Sequence, residues 1–162
     1  MFAALVLSAL LAQSAPSVLT VYVFTTTDCP ISNRYAPEIR RLAAKFATRA
    51  KFVLVYPVPA DSAEKIADHR KKFGYDVPFV RDVDQKLVKM TGVTVTPEVA
   101  LMQGSQLLYR GRIDDRVVDF GKDRPAPTRR DLEMAIDAVL AGKPIAVKET
   151  RAVGCILSDL VK

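Results

Sequence analysis

Residues 25–33 read Thr25-Thr26-Thr27-Asp28-Cys29-Pro30-Ile31-Ser32-Asn33. An apolar, β-branched run from Val18 to Phe24 precedes them, and an amphipathic run from Arg34 to Arg49 follows. The first pattern predicts a strand and the second a helix, joined through a Cys-Pro turn. Pro30 suits a first helical position, where its missing N–H is not needed and its fixed φ fits the helix. Cys29 then falls at the helix N-terminus, where free backbone N–H groups and the helix dipole favour a thiolate. Thiols in such places have pKa values of about 3.5–7.5 rather than about 8.5. The thiolate is the nucleophile, so Cys29 is the expected centre of the chemistry.

Working outward, Tyr35, Ile39, Leu42, Ala43 and Phe46 recur at helical spacing with basic residues between them. Phe52 to Tyr56 is a continuous apolar run, the mark of a parallel strand buried on both faces. Asp61 or Ser62 is the expected cap of a helix running to Phe73 and closed by Gly74. Val77-Pro78-Phe79-Val80 reads as extended, because the residue before proline is pushed out of the helical region. A short helix capped by Asp82 or Asp84 carries Leu87, Val88 and Met90 and ends at Gly92.

Val93 to Pro97 leads into a strand from Glu98 to Met102, and a turn around Gly104 joins it to Gln106–Arg110. After a polar loop over 111–127, Thr128 caps a last helix with Leu132, Met134 or Ala135, Ile136, Val139 and Leu140 facing inward. Parallel crossovers followed by a hairpin predict an α/β domain with a mixed central β-sheet and helices on both faces.

The 162 residues, 49% of them hydrophobic, suffice for one such domain. We place it at 18–142, with a signal peptide at 1–17 and a C-terminal tail at 143–162 carrying Cys155. The signal assignment rests on an uncharged apolar run followed by small residues, too short to span a bilayer comfortably. It predicts an exported, periplasmic or extracytoplasmic protein that is not integral to the membrane once processed; the alternative is cytoplasmic. The net charge of +6 comes from bases interleaved with acids, without a nucleic-acid motif, so nucleic acid is not an expected partner. Cys29 and Cys155 alone make neither a disulfide scaffold nor a zinc site.

Three landmarks in order carry a resemblance: Thr26-Thr27-Asp28-Cys29-Pro30, Thr96-Pro97, and Tyr109-Arg110-Gly111-Arg112-Ile113-Asp114. The chain resembles thioredoxin-fold redoxins, more narrowly the bacterial alkyl hydroperoxide reductase/thiol-specific antioxidant branch. The resemblance spans Val18 to Gly142 and implies a thioredoxin-like fold. It implies that Cys29 is the redox nucleophile and Pro97 a cis proline facing it, exposing the Thr96 backbone to substrate. Pro30, Ser32 and Thr96 would line the substrate site, and Thr26 would hydrogen-bond the sulfur.

Two departures stand out. Ser32 occupies the place of the second cysteine in a Cys-x-x-Cys motif, so a disulfide on Cys29 cannot be resolved there. Tyr22 occupies the place of a peroxiredoxin proline. A peroxidatic thiolate also needs a guanidinium beside it, for which Arg110 and Arg112 are the candidates. Cys155 is the resolving thiol, brought in by a mobile tail behind Gly154, or a small buried hydrophobe in a docked tail, or a thiol bonded to another chain.

Asp28 is read as a helix cap and His69 as a solvated side chain among Asp68, Arg70 and Lys71. Asp114, Asp115 and Asp119 are read as loop residues rather than a metal site. The expected activity is thiol-dependent oxidoreduction on a peroxide or disulfide, with Cys155 or an external thiol reductant resolving Cys29, and neither cofactor nor metal. A non-catalytic binding module is the alternative, and a copper-handling protein a more distant one.

Overall fold

The computed structural model describes residues 18–160; the expected leader at 1–17 lies outside the described residues. The apolar run forms β1 (Leu19–Phe24). Two helices follow it, α1 (Pro30–Arg34) and α2 (Ala36–Lys45), where the amphipathic pattern predicted one. The break lies at Tyr35, because Pro37 has no N–H for the helix and its ring crowds the carbonyl four residues back. The chain continues through β2 (Ala50–Tyr56), α3 (Ala63–Phe73), β3 (Phe79–Arg81) and α4 (Lys86–Thr91). Then come β4 (Val95–Thr96), β5 (Glu98–Gln103), β6 (Gln106–Gly111), β7 (Val117–Asp119), β8 (Lys122–Asp123) and α5 (Asp131–Leu140). The tail contributes β9 (Cys155–Ile156) and α6 (Leu157–Leu160).

The central sheet has the order β3-β2-β1-β5-β6. β1 pairs parallel with β2 and β2 with β3, whereas β5 runs antiparallel to both β1 and β6. This is the mixed α/β sheet that the sequence predicts. Strand alternation divides the core in two. Val21, Val23, Phe52, Leu54, Val99 and Leu101 face Ile39 and Leu42 of α2, its C-cap Phe46, and Leu132 and Ile136 of α5. Phe24, Val55 and Ala100 face the other way, with Val58, Val93 and Leu157, and Leu87 and Val88 of α4 pack against them. The tail therefore supplies part of the core.

The α3 cap is one of the two residues the sequence offers, whereas the caps of α4 and α5 differ from the sequence reading. Ser62 caps α3 through a bond from Lys65 N–H. Gln85, in a left-handed conformation, precedes α4, while the Asp82 carboxylate accepts Val88 N–H at 3.0 Å. Thr128 does not cap α5, which begins three residues later. Its N–H and hydroxyl both go to the buried carboxylate of Asp115, which also accepts Arg129 N–H. The expected polar loop contains the β7–β8 hairpin, and its buried Asp114 accepts the Tyr35 hydroxyl at 2.7 Å.

Phe46 is wholly buried under the α2 face of the sheet. Phe46→Ala should therefore cost about 3–5 kcal/mol through lost burial and a residual cavity. Urea unfolding followed by circular dichroism measures this; a loss below about 1 kcal/mol would contradict the packing described.

Candidate functional site

Cys29 stands at the N-cap of α1 with an extended backbone, φ −81° and ψ 110°. Its Sγ accepts Ser32 N–H at 3.5 Å and lies 3.2 Å from the Thr96 carbonyl oxygen, which it can reach as a donor when protonated. The residue is only 1% exposed. Asp28, the expected cap, is exposed, and Cys29 itself caps the helix. Pro30 at N1 is exposed, and Ser32 is buried. Thr26 meets Cys29 through its backbone, its carbonyl accepting Cys29 N–H at 3.5 Å. Among the described residues its hydroxyl makes no hydrogen bond to the sulfur.

The Thr96–Pro97 peptide bond is cis. Across from it, β9 pairs antiparallel with β4, setting Cys155 opposite Thr96 and Ile156 opposite Val95. Leu157 N–H extends the ladder to the Thr94 carbonyl at 2.9 Å. Cys155 Sγ thereby lies 2.8 Å from Cys29 Sγ, with both thiols free. Ser32 and Cys155 thus both reach the Cys29 sulfur, one through a backbone N–H and the other through its thiol.

The tail is seated along its length rather than loose. Arg110 N–H donates to the Lys148 carbonyl and Thr150 N–H to the Arg110 carbonyl. The Thr150 hydroxyl meets the Tyr109 hydroxyl at 2.6 Å and accepts Arg112 N–H at 3.0 Å. Gly111 has φ +144°, and a Cβ there would collide with Thr150. Gly154 was expected to give the tail freedom. It is buried instead, and a Cβ on it would run into the Thr96 carbonyl. Its glycine allows close approach, not motion.

The expected guanidinium partner is not supplied by either arginine. Arg110 donates to the Gly92 and Thr91 carbonyls, at 2.7 and 3.4 Å, and to the Glu149 carboxylate. Helix C-terminal carbonyls are natural acceptors for such a group. Arg112 is held by Asp131 at 2.7 Å.

Two functional neighbours escaped the sequence reading. Glu98, directly after Pro97, is buried and accepts Thr94 N–H at 2.8 Å and Val95 N–H at 3.3 Å, fixing β4 from behind. Burial raises its pKa, against those bonds and Arg110. His69, expected in solvent, is 5% exposed. Asn33 Nδ2 donates to the Thr27 carbonyl at 3.1 Å, so Asn33 Oδ1 accepts from His69 Nε2 at 2.7 Å. That tautomer leaves His69 Nδ1 to accept the Tyr56 hydroxyl at 2.9 Å. Burial lowers the His69 pKa, in keeping with this neutral relay behind the Cys29 turn.

The two thiols are driven apart electrostatically. Burial opposes ionisation of Cys29, but hydrogen bonds from Cys155 and Ser32 outweigh it and lower its pKa. Burial and the bond to Cys29 push Cys155 up to about 12. Cys29 is the more acidic thiol of the pair. Among the described residues no group of three or more His, Cys, Asp or Glu side chains is arranged to hold a metal ion. No helix among them is long and apolar enough to cross a membrane.

Residues 17–106 match the thioredoxin-like family. No curated protein matches the chain. Among solved structures, an uncharacterised conserved protein of Geobacillus kaustophilus is 25% identical with a TM-score of 0.76, the match covering 88% of this chain and 77% of that one. A hypothetical protein of Sinorhizobium meliloti is 27% identical with a TM-score of 0.74, covering 88% and 80%. A secreted disulfide oxidoreductase of Mycobacterium tuberculosis shares the fold at 18% identity, with a TM-score of 0.54 over 75% and 81%.

Two measurements check this geometry. Thiolate absorbance of the reduced chain should show Cys29 ionising below the ordinary thiol value of about 8.5, so that its alkylation persists as pH falls toward neutrality. A single transition above that value would contradict the assignment. Gly154→Ala should unseat β9 while the domain stays folded, slowing oxidative pairing of the two cysteines by roughly tenfold or more, since pairing depends on held proximity. An unchanged pairing rate, read by mass spectrometry, would mean that the Gly154–Thr96 contact does not hold the tail.

Proposed function

The chain belongs to the thioredoxin-like family, and from that premise we propose that it is a thiol oxidoreductase whose working pair is Cys29 and Cys155. The observation that carries this reading is the 2.8 Å approach of the two sulfurs, 126 positions apart in sequence. Ser32 cannot resolve an oxidised Cys29, and Cys155 takes the role that the second cysteine of a Cys-x-x-Cys motif would have.

The near-complete burial of Cys29 supports a small oxidant. With a hydroperoxide, the Cys29 thiolate takes the terminal oxygen and becomes a sulfenic acid, while the other oxygen leaves and collects a proton from solvent. Cys155 sulfur then attacks the sulfenic sulfur, its proton and the departing hydroxide leave as water, and a Cys29–Cys155 disulfide forms. The peroxide gains two electrons and the two thiols lose them. Ser32 N–H holds the thiolate, and Glu98 and His69 hold the two backbone segments that flank it.

One observation favours a second reading, exchange with a low-molecular-weight disulfide. Arg110 and Arg112 are committed to Gly92, Glu149 and Asp131, so neither is bonded to the sulfur as a peroxidatic site requires. The apolar leader sequence supports an extracytoplasmic setting for either reaction.

Intact mass after one equivalent of hydrogen peroxide, with subsequent thiol alkylation, tests the proposal. The expected product has lost both thiol hydrogens and takes up no alkylating agent. Cys155→Ser should stop at a sulfenic acid on Cys29, and Cys29→Ser should give no product. Rapid oxidation by hydroxyethyl disulfide with none by peroxide selects the second reading. Two unreacted thiols under both oxidants would overturn the enzyme.

A further inference from the structure

The two cysteines differ in access as well as in charge. Cys29 is closed over by the Thr96 carbonyl, the α1 turn and the seated tail, whereas Cys155 is partly exposed on a two-residue strand. We propose that the external thiol that reduces the oxidised enzyme enters at Cys155, so that oxidising equivalents arrive on one sulfur and depart through the other. The inference rests on the Cys29–Cys155 disulfide of the preceding section and adds the polarity of its reduction.

Three features fix that polarity. Thiol–disulfide exchange needs the attacking, central and leaving sulfurs close to a line, through a mixed disulfide on the attacked sulfur. An attacker on Cys29 must come from the side away from Cys155, yet Cys29 is only 1% exposed, with Ser32 N–H and the Thr96 carbonyl against its sulfur. An attacker on Cys155, the partly exposed sulfur, instead displaces Cys29, whose sulfur the Ser32 N–H already holds. Nor can the oxidised chain uncover Cys29 by releasing its tail, because the disulfide itself ties the tail down. The leaving sulfur is also the better one: a thiol of lower pKa departs faster, and Cys29 is the lowered member.

The steps balance as follows. A thiolate RS⁻ attacks Cys155 Sγ, the Cys155–Cys29 bond breaks, and its electron pair leaves on Cys29. A second RS⁻ attacks the same mixed disulfide, forming R–S–S–R and a Cys155 thiolate that takes a proton from solvent. Two external thiols are oxidised and one protein disulfide is reduced. The arrangement is the reverse of a Cys-x-x-Cys site whose helix-capping cysteine is the exposed one.

The test uses the full chain, oxidised and checked by intact mass, then mixed with N-acetylcysteine in excess. Samples are quenched rapidly in acid, alkylated with N-ethylmaleimide and mapped by peptide mass spectrometry. The expected result is N-acetylcysteine on Cys155 and maleimide on Cys29, exceeding the opposite pattern by about tenfold or more. N-acetylcysteine on Cys29, or an equal split, overturns the assignment while leaving the two-cysteine reading intact. Absence of a Cys29–Cys155 disulfide in the first mass measurement removes both at once.

Discussion

The site hangs on the backbone of Thr96. Its carbonyl lies within bonding reach of the Cys29 thiol, its neighbouring face accepts the bare backbone of Gly154, and its strand partner is Cys155. The bond to Pro97 is cis, and the two residues of β4 lie beside the helix cap before β5 enters the sheet. The edge of such a strand offers unpaired N–H and C=O groups to any extended segment. In this chain the segment is its own tail, and the same ladder that hides the edge delivers the second sulfur.

What distinguishes the pair is the asymmetry between its two sulfurs. Equal thiols at 2.8 Å would share a proton without preference. One sulfur here caps a helix and receives a backbone N–H, while the other sits on a strand and donates. Arg110 and Arg112 are anchored elsewhere, so this bias comes from hydrogen bonds and burial rather than from a counter-ion. Glu98 and His69 fit the same scheme. Each is a buried titratable group bonded to other partners, Glu98 to two backbone N–H groups and His69 to Asn33 and Tyr56, and not to the sulfurs.

Those features recorded in local pattern were legible in the sequence: the strand, the Cys-Pro turn and the hairpin around Gly104; the cis proline at Thr96-Pro97 came from the family resemblance instead. The seating of the tail was not, because its pairing spans the whole chain and β9 is only two residues long. Gly154 beside Cys155 was visible, but a glycine reads equally as freedom or as close contact until its neighbour is known. His69 was misread from its sequence neighbours Asp68 and Arg70, which lie on other faces of α3; its true companion is Ile66, three residues away and equally buried. For Arg110 and Arg112, the competition won by helix-end carbonyls and by Asp131 was invisible in the sequence.

In the proposed cycle the resolving thiol comes from the far end of the chain, which changes what folding must accomplish. In a Cys-x-x-Cys motif one turn of helix sets the spacing of both sulfurs. Here the encounter of residues 126 apart would carry a loop-closure cost, were it left to the free chain. Folding meets that cost in advance through many small contacts: Lys148 and Thr150 along β6, Glu149 on Arg110, Leu157 in the core, and β9 on β4. In the proposed cycle the sulfurs then meet as neighbours in a fixed geometry, where proximity lowers the barrier without further ordering. On that reading the tail belongs to the site in the same sense as the Cys-Pro turn, and a change that loosens it acts on the pairing of the sulfurs before it acts on the fold.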